Sequence, residues 1–303
     1  MMIENLKPND DFIMLPTVDF CFKGLMDNAK VRRGFVAALL HRHPDEIKET
    51  ILLPTELSRE SADDKLGILD VRVLLNDGTQ LDMEMQVTYY EYWDERVIFY
   101  LTKMYAGQIK RGDSYEKLKK CIHVSILDFI HFPEDDTCYR TICLCDKKTG
   151  KKYTDLLEIQ VLELPKICGA KKGDSETAVA NEIIKWMRFL GGKKREEFRK
   201  MAETDEYLSE AYEELKKLSA DDKKRFEYEA RERAILDYNS HMEGAEKKGF
   251  KQGITRGVSL GKNEKLKEQV QKKLLKGKSV EAIADELEED VSVIQELMCS
   301  LEK

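Results

Sequence analysis

The stretch Leu69-Asp70-Val71-Arg72-Val73-Leu74-Leu75-Asn76-Asp77-Gly78-Thr79-Gln80-Leu81-Asp82-Met83-Glu84-Met85-Gln86-Val87 decides the fold. Two alternating runs flank Asn76-Asp77-Gly78, a strong β-hairpin signal. In the second run Leu81, Met83, Met85 and Val87 point one way, and Asp82, Glu84 and Gln86 the other. In the first, Leu69, Val71, Val73 and Leu75 form an apolar face opposite Ile68, Asp70, Arg72 and Leu74. A two-residue Asp77-Gly78 loop pairs Asp70 with Met85 and sets each polar face against an apolar one, so that register fails. A three-residue loop, with Gly78 left-handed, pairs Leu75 with Thr79. Val73 then faces Leu81, Val71 faces Met83, Arg72 faces Asp82, and Asp70 faces Glu84.

Carboxylates directly opposite one another have Cβ atoms roughly 5 Å apart and destabilise a sheet unless something neutralises them. The same pair is suited to chelating one hard divalent cation through oxygen. Gln86 follows on the same face. The alternative reading is structural, because polar residues alternate on any strand that faces solvent.

Working outward, Val18 to His41 reads as one helix, with Phe22, Leu25, Met26, Phe35, Leu39 and Leu40 as its apolar side. Strands are expected at Thr50–Leu57, Gly67–Leu75 and Gln80–Thr88, then a helix from about Tyr92 to Arg111. Further strands follow near Ile122–Phe129, Tyr139–Cys145 and Leu156–Leu164. This order predicts an α/β fold, a mixed sheet flanked by helices.

The chain has 303 residues, 42% apolar and 36% charged, enough for at least one full core. No run of about 18 apolar residues appears, and Met1 to Asp10 lacks a secretory pattern, so a cytoplasmic protein without a membrane partner is expected. A net charge of −7 argues against a protein that coats nucleic acid generally, though not against a local phosphate site. The seven cysteines have no framework spacing, and reduced thiols are expected. Cys138, Cys143, Cys145, His123 and His131 make a conceivable zinc set. The paired Cys-x-x-Cys knuckles are missing, however, and buried structural cysteines are the better reading.

Beyond Pro165 there is no proline, and from Gly169 onward Glu, Lys, Arg, Leu and Ala dominate. The composition places a domain at 11–168 and a charged helical tail at 169–303. Thr177–Leu190, Lys193–Leu218 and Asp221–His241 read as amphipathic helices. A glycine-spaced connector (244–261) carries Gly244, Gly249, Gly253, Gly257 and Gly261, and each costs about 1 kcal/mol of helix propensity relative to Ala. It is either a frayed linker or a stripe for close helix contact. From Lys247 to Lys278 there are 11 Lys and Arg against two Glu, an excess that suits phosphates without reading sequence. The terminal helices (265–302) include Val280–Leu287 and Val291–Leu301, capped by Ser279 and Asp290, and have a helix-turn-helix outline. The last one is apolar along Val291, Ile294, Leu297, Met298 and Leu301, which favours packing or self-association, a homo-oligomer through these C-terminal helices, over base readout.

Asp70 and Glu84-Met85-Gln86, with the hairpin between them, resemble the core motif of the PD-(D/E)XK nuclease superfamily, with Gln86 in place of the motif's Lys. More narrowly, residues from about Asp11 to Lys166 resemble the Rpn family of recombination-promoting nucleases, also described as transposases. The matching phrases are Asp19-Phe20-Cys21-Phe22-Lys23, Asp64-Lys65 before Leu69-Asp70-Val71, and Glu84-Met85-Gln86. Arg96 with Tyr100, Gln108 with Gly112 and Tyr115, and Leu162-Glu163-Leu164-Pro165-Lys166 complete them. The resemblance implies a restriction-endonuclease-like sheet and metal-dependent cleavage of DNA, with Asp70, Glu84 and Gln86 catalytic and Mg²⁺ (or Mn²⁺) on Asp70 and Glu84. Gln86 can orient water but brings no positive charge, so a cation from elsewhere is expected to compensate. Tyr92, Arg96, Tyr100, Lys103, Gly107 and Arg111 form one polar stripe, from which Arg96 and Lys103 would meet phosphates. Asp19 and Lys23, one helical turn apart, are further candidates, and Gln108 a supporting one. The alternative is a catalytically weak DNA-binding or recombination accessory protein that keeps the nuclease fold.

Overall fold

The computed structural model describes residues 12–57, 67–169 and 178–301. Asp11, where the domain was expected to begin, and the Asp64-Lys65 phrase lie outside the described residues. Two compact units divide the chain, Met1–Ile235 and Leu236–Lys303.

The first unit is built on a six-stranded sheet. Its strands are β1 (Thr50–Leu53), β2 (Val71–Leu75), β3 (Gln80–Gln86), β4 (Cys121–Leu127), β5 (Tyr139–Cys143) and β6 (Leu157–Glu163), in the order β1-β2-β3-β4-β6-β5. β3, β4 and β6 run parallel, while β1–β2, β2–β3 and β5–β6 are antiparallel. The hairpin has the register derived from alternation: Val71 pairs with Met83, Arg72 with Asp82 and Val73 with Leu81. Gly78 has φ +86°, and the Leu75 amide donates to Thr79 O (2.9 Å), which closes a three-residue loop.

Helices cover both faces. One face of the sheet, with Leu81, Met83 and Met85 of β3 and Ile122, Val124 and Ile126 of β4, packs on α1 (Asp19–Asp27), α2 (Ala29–Leu39), α4 (Ala178–Leu190), α5 (Arg195–Ala202) and α6 (Glu206–Ala220). Phe22, Phe35, Phe189 and Phe198 are fully buried there, each contributing about 2–3 kcal/mol of transfer free energy. The opposite face lies under α3 (Trp93–Ala106), whose Trp93 and Val97 meet Leu127 and Val161. The crossover from β3 through α3 to the parallel β4 therefore roofs the polar side of the hairpin.

Several element boundaries differ from the expectation. The expected helix over 18–41 is two, because Asn28 has an extended backbone (ψ 117°) and its side chain accepts the amides of Lys30 and Val31 as the cap of α2. β1 stops at Leu53, before Pro54, and α3 stops at Ala106, before Gly107.

The buried core of the first unit continues past residue 168. Ile183, Trp186, Leu208, Leu215 and Tyr228 belong to the same buried cluster as Phe22 and Met83. A change in composition there marks a switch from sheet to helix, not an end of the core. α7 (Asp222–Leu274) carries all five spaced glycines, with nothing within 4 Å of the position a Cβ would take. In the second unit Val270, Ile283, Ala284 and Ile294 form a small core with α8 (Val280–Leu287) and α9 (Val291–Leu301). No helix among the described residues is long and apolar enough to cross a membrane.

Candidate active site

The side of β3 that alternation marks as polar is buried: Asp82 is 0% and Glu84 1% exposed. That excludes the solvent-facing explanation for these carboxylates, since burying a charge without a partner is costly. Asp70 sits immediately before β2, half-buried, and its Oδ2 accepts the Met85 amide at 3.3 Å. The hairpin thus sets Asp70 beside Glu84, one residue beyond the last paired position of the ladder.

Each carboxylate has its own cation. Arg96 of α3 donates from Nη2 to Glu84 Oε2 at 3.0 Å, and its guanidinium lies over Trp93 (5.4 Å to the ring centroid) and Tyr100 (5.2 Å). Lys23 of α1 reaches Asp70 Oδ1 at 2.9 Å, with Asp19 3.9 Å away. Asp19 in turn accepts from Arg231 of α7 at 2.8 Å.

A second buried network lies alongside. His123 Nδ1 and Asp82 Oδ2 are 2.7 Å apart, and His123 Nε2 and Ser125 Oγ 3.1 Å. Burial pushes the Asp82 carboxyl up, opposed by His123. Glu84 is pushed up to about 9, by burial first and by the charge of Asp82 second, with Arg96 pulling the other way. Asp82 Oδ1 and Glu84 Oε1 are both buried without a hydrogen-bond partner among the described residues.

Those two orphaned oxygens are the test of fit for a cation. A hard divalent ion takes oxygen ligands, and Mg²⁺ in particular is held by one or two carboxylates, completing its shell with water and substrate phosphate. Asp70 and Glu84 are such a pair, and Glu84 Oε1 is an acceptor with nothing to accept. No cluster of three or more His, Cys, Asp or Glu suited to a metal occurs among the described residues.

The other expected residues divide. Asp19, Lys23, Arg96 and Tyr100 gather around Asp70 and Glu84. Gln86 lies at the end of β3 and donates its amide to Thr88 O at 3.0 Å. Lys103 Nζ stands 5.3 Å from the Phe99 ring centroid. Gln108 is elsewhere: it clamps the strand entry, donating to Lys119 O (3.0 Å) and accepting the Lys119 amide (2.8 Å). The expected stripe splits: on α3 Tyr100 is buried and Arg96 is turned to Glu84, whereas Tyr92, Gly107 and Arg111 lie outside the helix and are exposed.

The zinc set is dispersed. His123 is hydrogen-bonded to Asp82 and His131 to Asp94, while Cys143 and Cys145 are free thiols with their Sγ atoms 3.5 Å apart. Cys21, Cys121 and Cys138 are buried as expected of structural cysteines, whereas Cys145 and Cys299 are exposed. Sequence reading treated Asp82 as the cross-strand partner of Arg72 and missed its role at His123. Arg72 instead donates to Gln80 Oε1 at 2.8 Å. Only the parallel pairing of β3 with β4, which is non-local, sets Asp82 against His123. Glu163, in the Leu162-to-Lys166 phrase, is also fully buried; it accepts the His131 and Phe132 amides (2.6 and 3.0 Å) and Lys166 Nζ (2.8 Å), tying down the end of β6.

No curated protein and no solved structure matches the chain. The family model for PD-(D/E)XK nuclease family transposases matches residues 16–245, which takes in the whole sheet, the carboxylate pair and helices α1 to α6. Covering well over half the sequence, that match makes the chain a member of the PD-(D/E)XK nuclease family transposases.

Proposed function

We propose that the protein is a divalent-metal-dependent DNA endonuclease that works at Asp70 and Glu84, in the setting of recombination or mobile elements. The observation that carries this reading is the buried Glu84 carboxylate beside Asp70, with one oxygen bound by Arg96 and the other orphaned. Asp70 and Glu84 would hold Mg²⁺ or Mn²⁺, which when bound acidifies water and offsets charge on the phosphate.

The remaining work falls to the chain's own groups. Arg96, held between two aromatic rings, fixes the rotamer of Glu84 and balances its charge once it is ionised. The Met85 amide orients Asp70. α3 roofs the site and keeps bulk water off the sheet side, which strengthens electrostatic interactions there. In the second unit the Lys- and Arg-rich stretch from Lys247 to Lys278 would hold the DNA backbone without reading its sequence.

A plasmid-nicking assay tests the reading. Wild type with Mg²⁺ should relax supercoiled DNA, and Asp70→Ala or chelation should stop it. The second reading, an accessory protein that binds DNA but hardly cuts it, is favoured by one observation: Gln86 donates to Thr88 and brings no charge to the pair. Retention of DNA binding with no nicking by wild type in Mg²⁺ or Mn²⁺ would select it.

A further inference from the structure

The PD-(D/E)XK superfamily motif places a Lys two residues after the Glu, and Gln86 occupies that position. Its amide is engaged at the strand exit, by Thr88 O at 3.0 Å and Thr88 Oγ1 at 3.4 Å. A neutral group held there offers an anionic phosphate no compensating charge. Arg96 pairs with Glu84 at 3.0 Å, and Lys23 with Asp70 at 2.9 Å.

They are not equivalent. Arg96 is stacked on two rings and donates to a carboxyl group that is 1% exposed, so moving it would leave both Glu84 oxygens buried without a hydrogen-bond partner among the described residues. Lys23 has a side chain 39% exposed, on a carboxylate 23% exposed. A Lys–Asp pair that open to water contributes little to folding. The flexible stem of Lys is suited to shifting a point charge by a few ångströms. Its base is nonetheless placed: Asp19 lies one turn earlier on α1 and is itself held by Arg231 at 2.8 Å.

We propose that Lys23 supplies the positive charge that Gln86 lacks, reaching across from α1 to the phosphate at the Asp70–Glu84 pair. This rests on the reading of that pair as the cutting site. In the step served, a water oxygen bonds to phosphorus and the phosphorus–ester oxygen bond breaks. The water's proton goes to solvent, and the leaving oxygen takes one from solvent. Lys23 keeps its proton throughout and offsets the charge gathering on the phosphoryl oxygens.

The test uses the full chain and four variants: Lys23→Met, which keeps the aliphatic stem, Gln86→Lys, the double variant and Asp70→Ala. Nicking of supercoiled plasmid is read beside Mn²⁺ affinity by calorimetry. Lys23→Met should cut about 100-fold more slowly, the scale of losing one transition-state charge partner. It should bind Mn²⁺ at least as tightly as wild type, because a competing cation has left Asp70. Adding Gln86→Lys to Lys23→Met should restore about tenfold or more, as expected when two residues serve one role. The inference is overturned if Lys23→Met cuts within threefold of wild type, if Gln86→Lys fails to rescue it, or if it binds Mn²⁺ more weakly, which would make Lys23 a mere support of Asp70. If Asp70→Ala cuts at the wild-type rate, the site reading itself falls. If Asp70→Ala is inactive while Lys23→Met is fully active, only the inference about Lys23 falls.

Discussion

Glu84 combines two conditions that pull against each other, burial beside Asp82 and a guanidinium at 3.0 Å, and burial wins. With its carboxyl raised from 4.5 to about 9, the metal-free folded state binds a proton that the unfolded chain has already lost. Metal-free stability should therefore fall as pH rises between those values. Thermal melts at pH 6 and pH 9 should show the decline, and Glu84→Gln should flatten it. A cation must displace that proton, so Mn²⁺ binding at pH 7 should release about one proton and tighten with pH. Calorimetry in buffers of different ionisation enthalpy measures this directly; zero release would mean that Glu84 is not a ligand. In cleavage, Asp70→Ala and Glu84→Ala should each abolish nicking, since each removes metal affinity and charge together. Gln86→Ala should keep measurable activity, with a loss of at most about 10²–10³ for one oriented hydrogen bond.

At the scale of elements, the β2–β3 hairpin is the part whose geometry was most legible beforehand, because its pairing is local and only one register matches both faces. Gly78 is its pivot. At φ +86° an added Cβ is strained, and it would also stand 2.8 Å from Lys119 Cγ. Gly78→Ala should cost about 1–2 kcal/mol in a urea melt and lower metal affinity by disturbing the approach of Asp70 to Glu84. An unchanged midpoint would show that the loop does not set the register. Asn28 was not legible in this way, since helical periodicity runs on through it. It caps α2, and its amide donates to Glu210 of α6 at 2.9 Å. Asn28→Ala should destabilise by about 1 kcal/mol, with little effect on nicking per folded molecule.

For the molecule as a whole, the decisive fact is that α4 to α6 complete the core under one face of the sheet. A chain ending near residue 172 loses Trp186, Phe189, Phe198, Leu208 and Leu215, all buried in the main cluster. At about 2–3 kcal/mol of transfer free energy each, that loss is as large as the net stability of an ordinary domain. Such a truncation should fail to give a cooperative melt, whereas one ending near Ile235, where the first unit closes, should melt cooperatively and retain metal-dependent nicking. A folded 1–172 fragment would show that the helices are an appendage after all. The 1–235 fragment should bind DNA more weakly at equal salt, and with a shallower salt dependence, if the basic stretch of α7 contacts phosphates.

Legible from the residues alone were the local and periodic features: the hairpin with its register and left-handed glycine, the α/β class and the helical end. The residues also placed Asp70 and Glu84 side by side, and their ordered phrases carried the resemblance that the family match bears out. Alternation reports which residues share a face, and a tight turn reports which strands pair. Neither reports what covers the face. Packing is what puts the polar face beneath α3, sets Asp82 against His123 of the parallel neighbour strand, and brings Arg96 and Lys23 in from two different helices. Those are non-local contacts, whose partners are chosen by packing and by the need to compensate buried charge, and nothing in the spacing of residues along a chain encodes them directly.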